Sequence, residues 1–267
     1  MTLRSPIRWI RHKALVAPLV VALLAATPGC HAQQQQNPLT MNGGSLLAMA
    51  GENCVALAVD KRFGSGPQLV NISPRRVWAP NSRLLVAFSG LEGDVVSLSE
   101  ELRAELVAKR HRALGFVLGS GVTETESEKH HRIISPPALA CLVSHVLYQK
   151  RGYYVEPLVV GLRETTTTTA TTTTTTTTMT PFLCAMDMIG AQSFSQSFVC
   201  SGAASTSLYG IAEALWRPGM NPDELLECCG RVFQSALERD CLSGYGILVY
   251  LITKNGIAEY DLASRND

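Results

Sequence analysis

The residue pattern predicts an α+β protein of four layers, two antiparallel sheets packed face to face with helices covering each outer surface. Two observations carry this. Predicted strands and helices alternate in groups (strands, two helices, strands, two helices, strands), and no single strand–helix–strand repeat of a parallel sheet appears. The helices also fall in pairs between antiparallel strands, which suits two stacked sheets covered by helices on both outer faces.

Ser45–Ala50 and Asn53–Asp60 are apolar, rich in small and β-branched residues, and separated by Gly51-Glu52, so they read as a hairpin. Arg83–Ser89 is a further buried strand, stopped by Gly90. Asp94 is placed to cap a helix running to about His111, with Val95, Leu98, Leu102 and Leu106 as its apolar stripe. Residues 112–130, rich in Gly, Thr and Glu, read as an exposed loop. A second helix follows Pro136-Pro137 and ends near Gly152, with Leu139, Leu142, Val143, Val146 and Leu147 mostly on one side. Val155–Leu162 and Phe182–Met188 are two more strands. The threonine-rich insertion between them, residues 165–180, has β-propensity but nothing to bury, and reads as a floppy hairpin tip. Ser195–Ser201 is a strand and Ser205 to Trp216 a helix halted by Pro218-Gly219. Asn221, Pro222 and Glu224 spell the capping box of a last helix, whose stripe is Leu225, Cys229, Val232, Phe233, Ala236 and Leu237. Tyr245–Thr253 and Ile257–Leu262 flank Asn255-Gly256, a strong hairpin signal.

Residues 1–40 do not match this pattern. Arg4, Arg8, Arg11 and Lys13 precede an apolar run from Ala14 to Ala26, then Cys30-His31-Ala32, which taken alone reads as a secretory signal. The run is too short to read as a membrane span. The competing reading is an upstream extension, with the working domain at 41–267 and Gln33–Pro38 as a disordered linker.

Composition excludes several functions. Net charge is +1, so no bulk attraction to nucleic acid or acidic membranes is implied. The chain has 8 cysteines without a C-x-x-C pair, expected as reduced core residues of a cytosolic protein. Neither they nor His130 and His131 have zinc-ligand spacing. No G-x-S-x-G, P-loop or H-E-x-x-H occurs. Gly119-Ser-Gly121 and Gly244-Tyr-Gly246 read as turns, and no cofactor is expected.

The body, however, carries a family's motifs. They include Asn42-Gly-Gly-Ser-Leu-Leu-Ala-Met-Ala-Gly51, Asn53-Cys-Val-Ala-Leu-Ala-Val-Asp60 and Lys61-Arg-Phe-Gly64. Later come Tyr153-Tyr-Val-Glu-Pro157, Asp187-Met-Ile-Gly190 and Arg239-Asp240-x-x-Ser243-Gly244. The most specific stretch is Tyr209-Gly-x-x-Glu213-x-Leu-Trp216-x-Pro218-x-Met220-x-Pro222-Asp223. From Asn42 onward the chain resembles a proteasome beta subunit, type 3 of the 20S core particle above all. The resemblance implies the N-terminal-nucleophile hydrolase form of the αββα fold. It also implies assembly with other alpha and beta subunits into a barrel of twenty-eight chains that degrades ubiquitin-tagged proteins in cytoplasm and nucleus. On that expectation the signal-like segment is spurious or unused.

Active members of the family attack with an N-terminal threonine whose own amine is the general base, tuned by a lysine and an aspartate. Asp60 matches the aspartate, which puts Gly44 at the nucleophile position and Arg76 at the lysine position. Glycine has no hydroxyl, and arginine is effectively never deprotonated. No catalytic residue is therefore expected, and Asp60, Ser201, Asp240 and Ser243 remain as remnants that maintain the fold. The alternative is autoprocessing after Gly44 to make Ser45 the nucleophile, opposed by a one-residue slip that turns Ser45 to the other face of its strand. Asp187 is either a turn cap or an acidic group lining a neighbouring subunit's substrate pocket.

Overall fold

A computed structural model describes residues 37–72, 76–120, 134–168 and 175–264. The chain divides after Gln36, and every element below belongs to the unit that begins at Asn37. The signal-like run, His130, His131 and Cys30 lie outside the described residues.

In chain order the elements are α1 (Pro38–Met41), β1 (Ser45–Ala50), β2 (Val55–Asp60), β3 (Arg62–Ser65), β4 (Gln68–Ile72), β5 (Val77–Asn81), β6 (Leu84–Gly90), α2 (Glu92–Ser120) and α3 (Pro136–Gln149). Then follow β7 (Val155–Thr168), β8 (Thr175–Met186), β9 (Gln192–Ser195), β10 (Phe198–Gly202), α4 (Ser205–Leu215), α5 (Pro222–Leu237), β11 (Ile247–Thr253) and β12 (Gly256–Leu262). One sheet runs β10-β1-β2-β11-β12, the other β5-β6-β7-β8-β9, and β3-β4 forms a separate ribbon. The pairings are antiparallel throughout.

The period of two in the strands sorts their side chains into separate interiors. Leu46, Ala48, Leu57 and Val59 meet Leu85, Ala87, Leu158 and Val160 between the sheets. The alternate residues Leu47, Met49, Ala56 and Ala58 pack outward on Leu208, Leu225, Val232 and Phe233 of α4 and α5. On the other side Leu84, Val86 and Phe88 pack on Val95, Leu98, Leu139 and Val143 of α2 and α3. Strands apolar on both faces and helices apolar on one face thus give the four αββα layers expected.

Several boundaries differ from expectation for identifiable reasons. Residues 37–41 form a cap and a helical turn, with the Leu39 amide donating to Asn37 Oδ1, so part of the expected linker is folded. Helix α2 starts before Asp94 and runs on to Ser120, so 112–120 is helix and Gly119 lies within it rather than in a turn. Asp94 does not cap α2; its Oδ2 accepts from the Tyr154 amide and ties the helix to the start of β7. The first amide of α2, that of Glu92, donates instead to Asn42 Oδ1. The expected single strand 195–201 is two strands in different sheets, with the Ser197 amide turned onto Ser195 Oγ at the crossing. The threonine run is not a loose tip where it is described: Thr165–Thr168 pair with Thr175–Thr178 and lengthen the β7–β8 hairpin. The closing hairpin pairs Thr253 with Gly256, which puts Lys254-Asn255 in the loop and Gly256 in β12 at φ +129. Cys54, Cys184, Cys200 and Cys229 are buried and free, but Cys141 and Cys241 are exposed, against the expectation of core positions.

Candidate functional site

The register of β1 on β2 sets the geometry. Leu46 pairs with Val59, which brings Ser45 to the end of β2, where its amide donates to Asp60 Oδ1 at 3.0 Å. Gly44 lies one residue further out, at φ +95, a backbone conformation that favours glycine. Its own amide donates to the Leu242 carbonyl and its carbonyl accepts from the Ala203 amide.

Arg76 enters from the segment before β5 and fills the space in front of Gly44. A Cβ built on Gly44 would lie 1.5 Å from Arg76 Nη1 and 2.2 Å from its Cζ. No side chain fits there while the guanidinium stays. Arg76 Nη1 donates to Asp60 Oδ1 at 2.7 Å, and Nη2 donates to the carbonyls of Arg62 at 2.9 Å and Gly43 at 3.2 Å. Arg76 and Asp60 are both fully enclosed. Burial pushes the Asp60 carboxyl up, opposed by the Arg76 guanidinium and by amides including those of Ser45 and Gly244. Glu92 at the start of α2 brings Oε2 to 4.0 Å from Arg76 Nε and makes no hydrogen bond through that oxygen among the described residues. Burial raises its pKa, against the pull of Arg76.

A second arginine, which sequence reasoning left without a role, sits on the neighbouring glycine. Arg62 is buried, donates to the carbonyls of Leu242 and Gly66, and places Nη1 2.8 Å from where a Gly43 Cβ would lie. The two glycines therefore lie against two guanidiniums. Asn42 completes the anchorage: its Nδ2 donates to the Gly64 carbonyl, its carbonyl accepts from the Gly64 amide, and its Oδ1 caps α2. In the sequence Arg62 is one of two basic residues following the apolar strand β2, and nothing there distinguishes it from Lys61.

Ser45 shares the face of Leu47 and Met49, toward α4 and α5, while Leu46 points between the sheets. Its Oγ accepts from the Ala204 amide at 2.9 Å and lies 2.7 Å from Ser243 Oγ. Ser243 in turn donates to Asp240 Oδ2 at 2.6 Å. With that proton committed, Ser45 is the donor to Ser243, so both functions of the Ser45 hydroxyl are used. Asp240 and Ser243 are thus joined to Ser45 and not to Arg76. Ser201 stands apart from this chain: it bonds Ser89 at 2.6 Å and Glu156 at 2.9 Å, bridging the two sheets. Asp187 lies in the β8–β9 turn, exposed, with Oδ1 accepting from the amides of Ile189 and Ala191. Among the described residues no cluster of three or more His, Cys, Asp or Glu side chains is arranged to hold a metal.

Position 44 offers no hydroxyl, and the guanidinium at position 76 is committed to Asp60 and the carbonyls of Arg62 and Gly43. What the cluster does is tie the 42–44 segment, β2, β3 and the start of α2 to one another.

The motifs that suggested a family are matched on a wider scale. The family profile described as "Proteasome subunit" matches residues 40–114 and 122–252. The chain is 35% identical over 228 residues to the "Proteasome subunit beta type-3" of Oryza sativa subsp. japonica, covering 85% of this chain and 97% of that one. It is 32% identical over 231 residues to the protein of the same name in Drosophila melanogaster, covering 86% and 98%. A "Probable proteasome subunit beta type-3" of Schizosaccharomyces pombe is 34% identical over 229 residues, covering 85% and 97%. The profile, these relatives and the αββα layering agree, and the chain belongs to the proteasome subunit family.

Proposed function

We propose that this chain is a non-catalytic, type 3 subunit of the beta ring in the 20S proteasome core. On this reading it helps build a barrel of twenty-eight alpha and beta subunits and supports ATP- and ubiquitin-dependent protein degradation without cutting peptide bonds itself. The observation that carries the reading is the Arg76 guanidinium lying where a Gly44 side chain would stand. The nucleophile and the lysine that would tune it are both gone, and one side chain fills the space of both. The relatives named beta type-3 support the place in the ring. Cytoplasm and nucleus follow as the compartments of such a particle, and the signal-like N-terminal segment is then spurious or unused.

The test treats purified particles with an electrophilic peptide that traps N-terminal hydroxyl nucleophiles, followed by mass spectrometry of each subunit. The expected result is labelled catalytic subunits and an unlabelled chain in which Gly44 remains peptide-bonded to Ser45. A modified Ser45 at a new N-terminus would instead establish the autoprocessed hydrolase.

A further inference from the structure

The β7–β8 hairpin ends in a feature that the site does not use. The sheet order places β7 between β6 and β8, and β8 between β7 and β9. Those neighbours stop early. β6 pairs with β7 only over Val155–Gly161, and β9 pairs with β8 only over Leu183–Met186. Beyond them β7 and β8 continue together through Thr165–Thr178, Thr166–Thr177, Thr167–Thr176 and Thr168–Thr175. Among the described residues nothing pairs with the outer edge of either threonine strand. This ribbon grows from the end of the sheet marked by Leu84 and Gly161, whereas the Gly44 cluster lies near the other end, where Glu92 follows β6.

Exposed strand edges are ordinarily blunted by charges, prolines or bulges, because unpaired amides and carbonyls recruit another strand. Within Thr165–Thr168 and Thr175–Thr178 there is no charge, no proline and no register shift. Threonine is β-branched and favours the extended conformation. A homopolymer also has a property no mixed strand has: within its length, every register and both directions present the same residue opposite, so a slip loses only end pairs and no side-chain match. The strand such an edge fits without exception is another copy of itself.

We propose that the threonine ribbon is a self-association edge, which joins copies of this chain by strand-to-strand pairing through Thr165–Thr168 or Thr175–Thr178. The partner is a second copy, and when the chain is assembled the pairing joins one assembly to the next. The contact is short and polar, so it is weak and concentration-dependent.

The experiment uses the full chain purified in whatever assembly it forms, with sedimentation measured over a wide concentration range. Wild type is expected to rise in weight-average mass with concentration, to twice the starting unit or beyond. Thr167→Lys with Thr177→Lys places one charge on each strand and should hold the mass constant. Thr166→Val with Thr177→Val keeps the edge and raises β-propensity, and should move the rise to lower concentration. Amide exchange at Thr165–Thr168 and Thr175–Thr178 should slow with concentration in wild type and not in the lysine variant. A wild-type mass that stays constant, or a lysine variant that rises as wild type does, overturns the proposal. So does strong amide protection that is independent of concentration, which would mean that the edge is covered from within.

Discussion

Gly44 and Arg76 form a coupled pair, and the coupling is measurable. Gly44→Ala puts a Cβ at φ +95 against the guanidinium, adding backbone strain to overpacking. It should cost about 2–4 kcal/mol of unfolding free energy in urea titration. Arg76→Lys vacates that space but gives up the bonds to Gly43 and Arg62, and should cost about 2–3 kcal/mol by itself. Together they should cost less than the sum by about 1–3 kcal/mol, because the lysine removes the clash that the alanine creates. Strict additivity would show that the guanidinium yields easily and does not enforce the glycine.

The cysteines make a separate prediction about pH. Burial pushes the Cys54 thiol up to about 11 and those of Cys184 and Cys200 up to about 12, and raises Cys229 as well. Unfolded thiols ionise near pH 8.5, roughly. The folded state therefore holds protons that the unfolded state has released. Stability from this source is intact below the unfolded value and is lost as pH climbs through the folded values. Melting temperature in a reductant should fall between pH 8 and pH 10.5, roughly. Native alkylation at neutral pH should mark exposed Cys141 and Cys241 well before the four buried thiols.

The start of α5 shows why some elements could be read from sequence and others could not. Its cap is local: Asn221 donates its amide to Glu224 Oε2 at 3.1 Å, three residues on, so the signal lies within one short window. Glu224→Ala should cost about 0.5–1 kcal/mol in chain stability, while Glu224→Gln keeps the bond and should cost less. Equal losses in the two variants would mean that the charge and not the bond matters. The α5 stripe and the closing hairpin are local in the same sense. The start of α2 is not, because its cap comes from Asn42, fifty residues upstream and on another segment. Asp94 looked like a cap by composition and serves the Tyr154 amide instead. β3, β4 and β5 carry no such window. They are short, and β4 is exposed along its whole length, so neither alternation nor an apolar run marks them.

The layering was legible in the order of the elements, because helices grouped in pairs between antiparallel strands fit two stacked sheets with helices on both outer faces. The candidate site was legible only through the family resemblance, which matched Asp60 to the family's aspartate and so pointed to Gly44 and Arg76; the β1–β2 register then brings Ser45, next to Gly44, onto Asp60. Arg62, Asn42 and Glu92 were not assigned roles, since each acts on a partner distant in sequence. Beyond a single chain, Asp187 already serves its own turn through Oδ1. A pocket role requires its charge, whereas a turn role requires only an acceptor oxygen, and two substitutions separate these. Asp187→Asn retains an acceptor for the Ile189 and Ala191 amides and removes the charge. Asp187→Ala removes both. If the carboxylate faces a neighbouring subunit's substrate, assembled particles carrying Asp187→Asn should lose several-fold in kcat/KM after basic residues, on the order of 1 kcal/mol, with other cleavages and particle yield unchanged. Asp187→Ala should add a loss of particle yield as the turn loosens. If Asp187→Asn cleaves as wild type does and only Asp187→Ala is impaired, the residue is a turn cap and the neighbour's preference arises elsewhere.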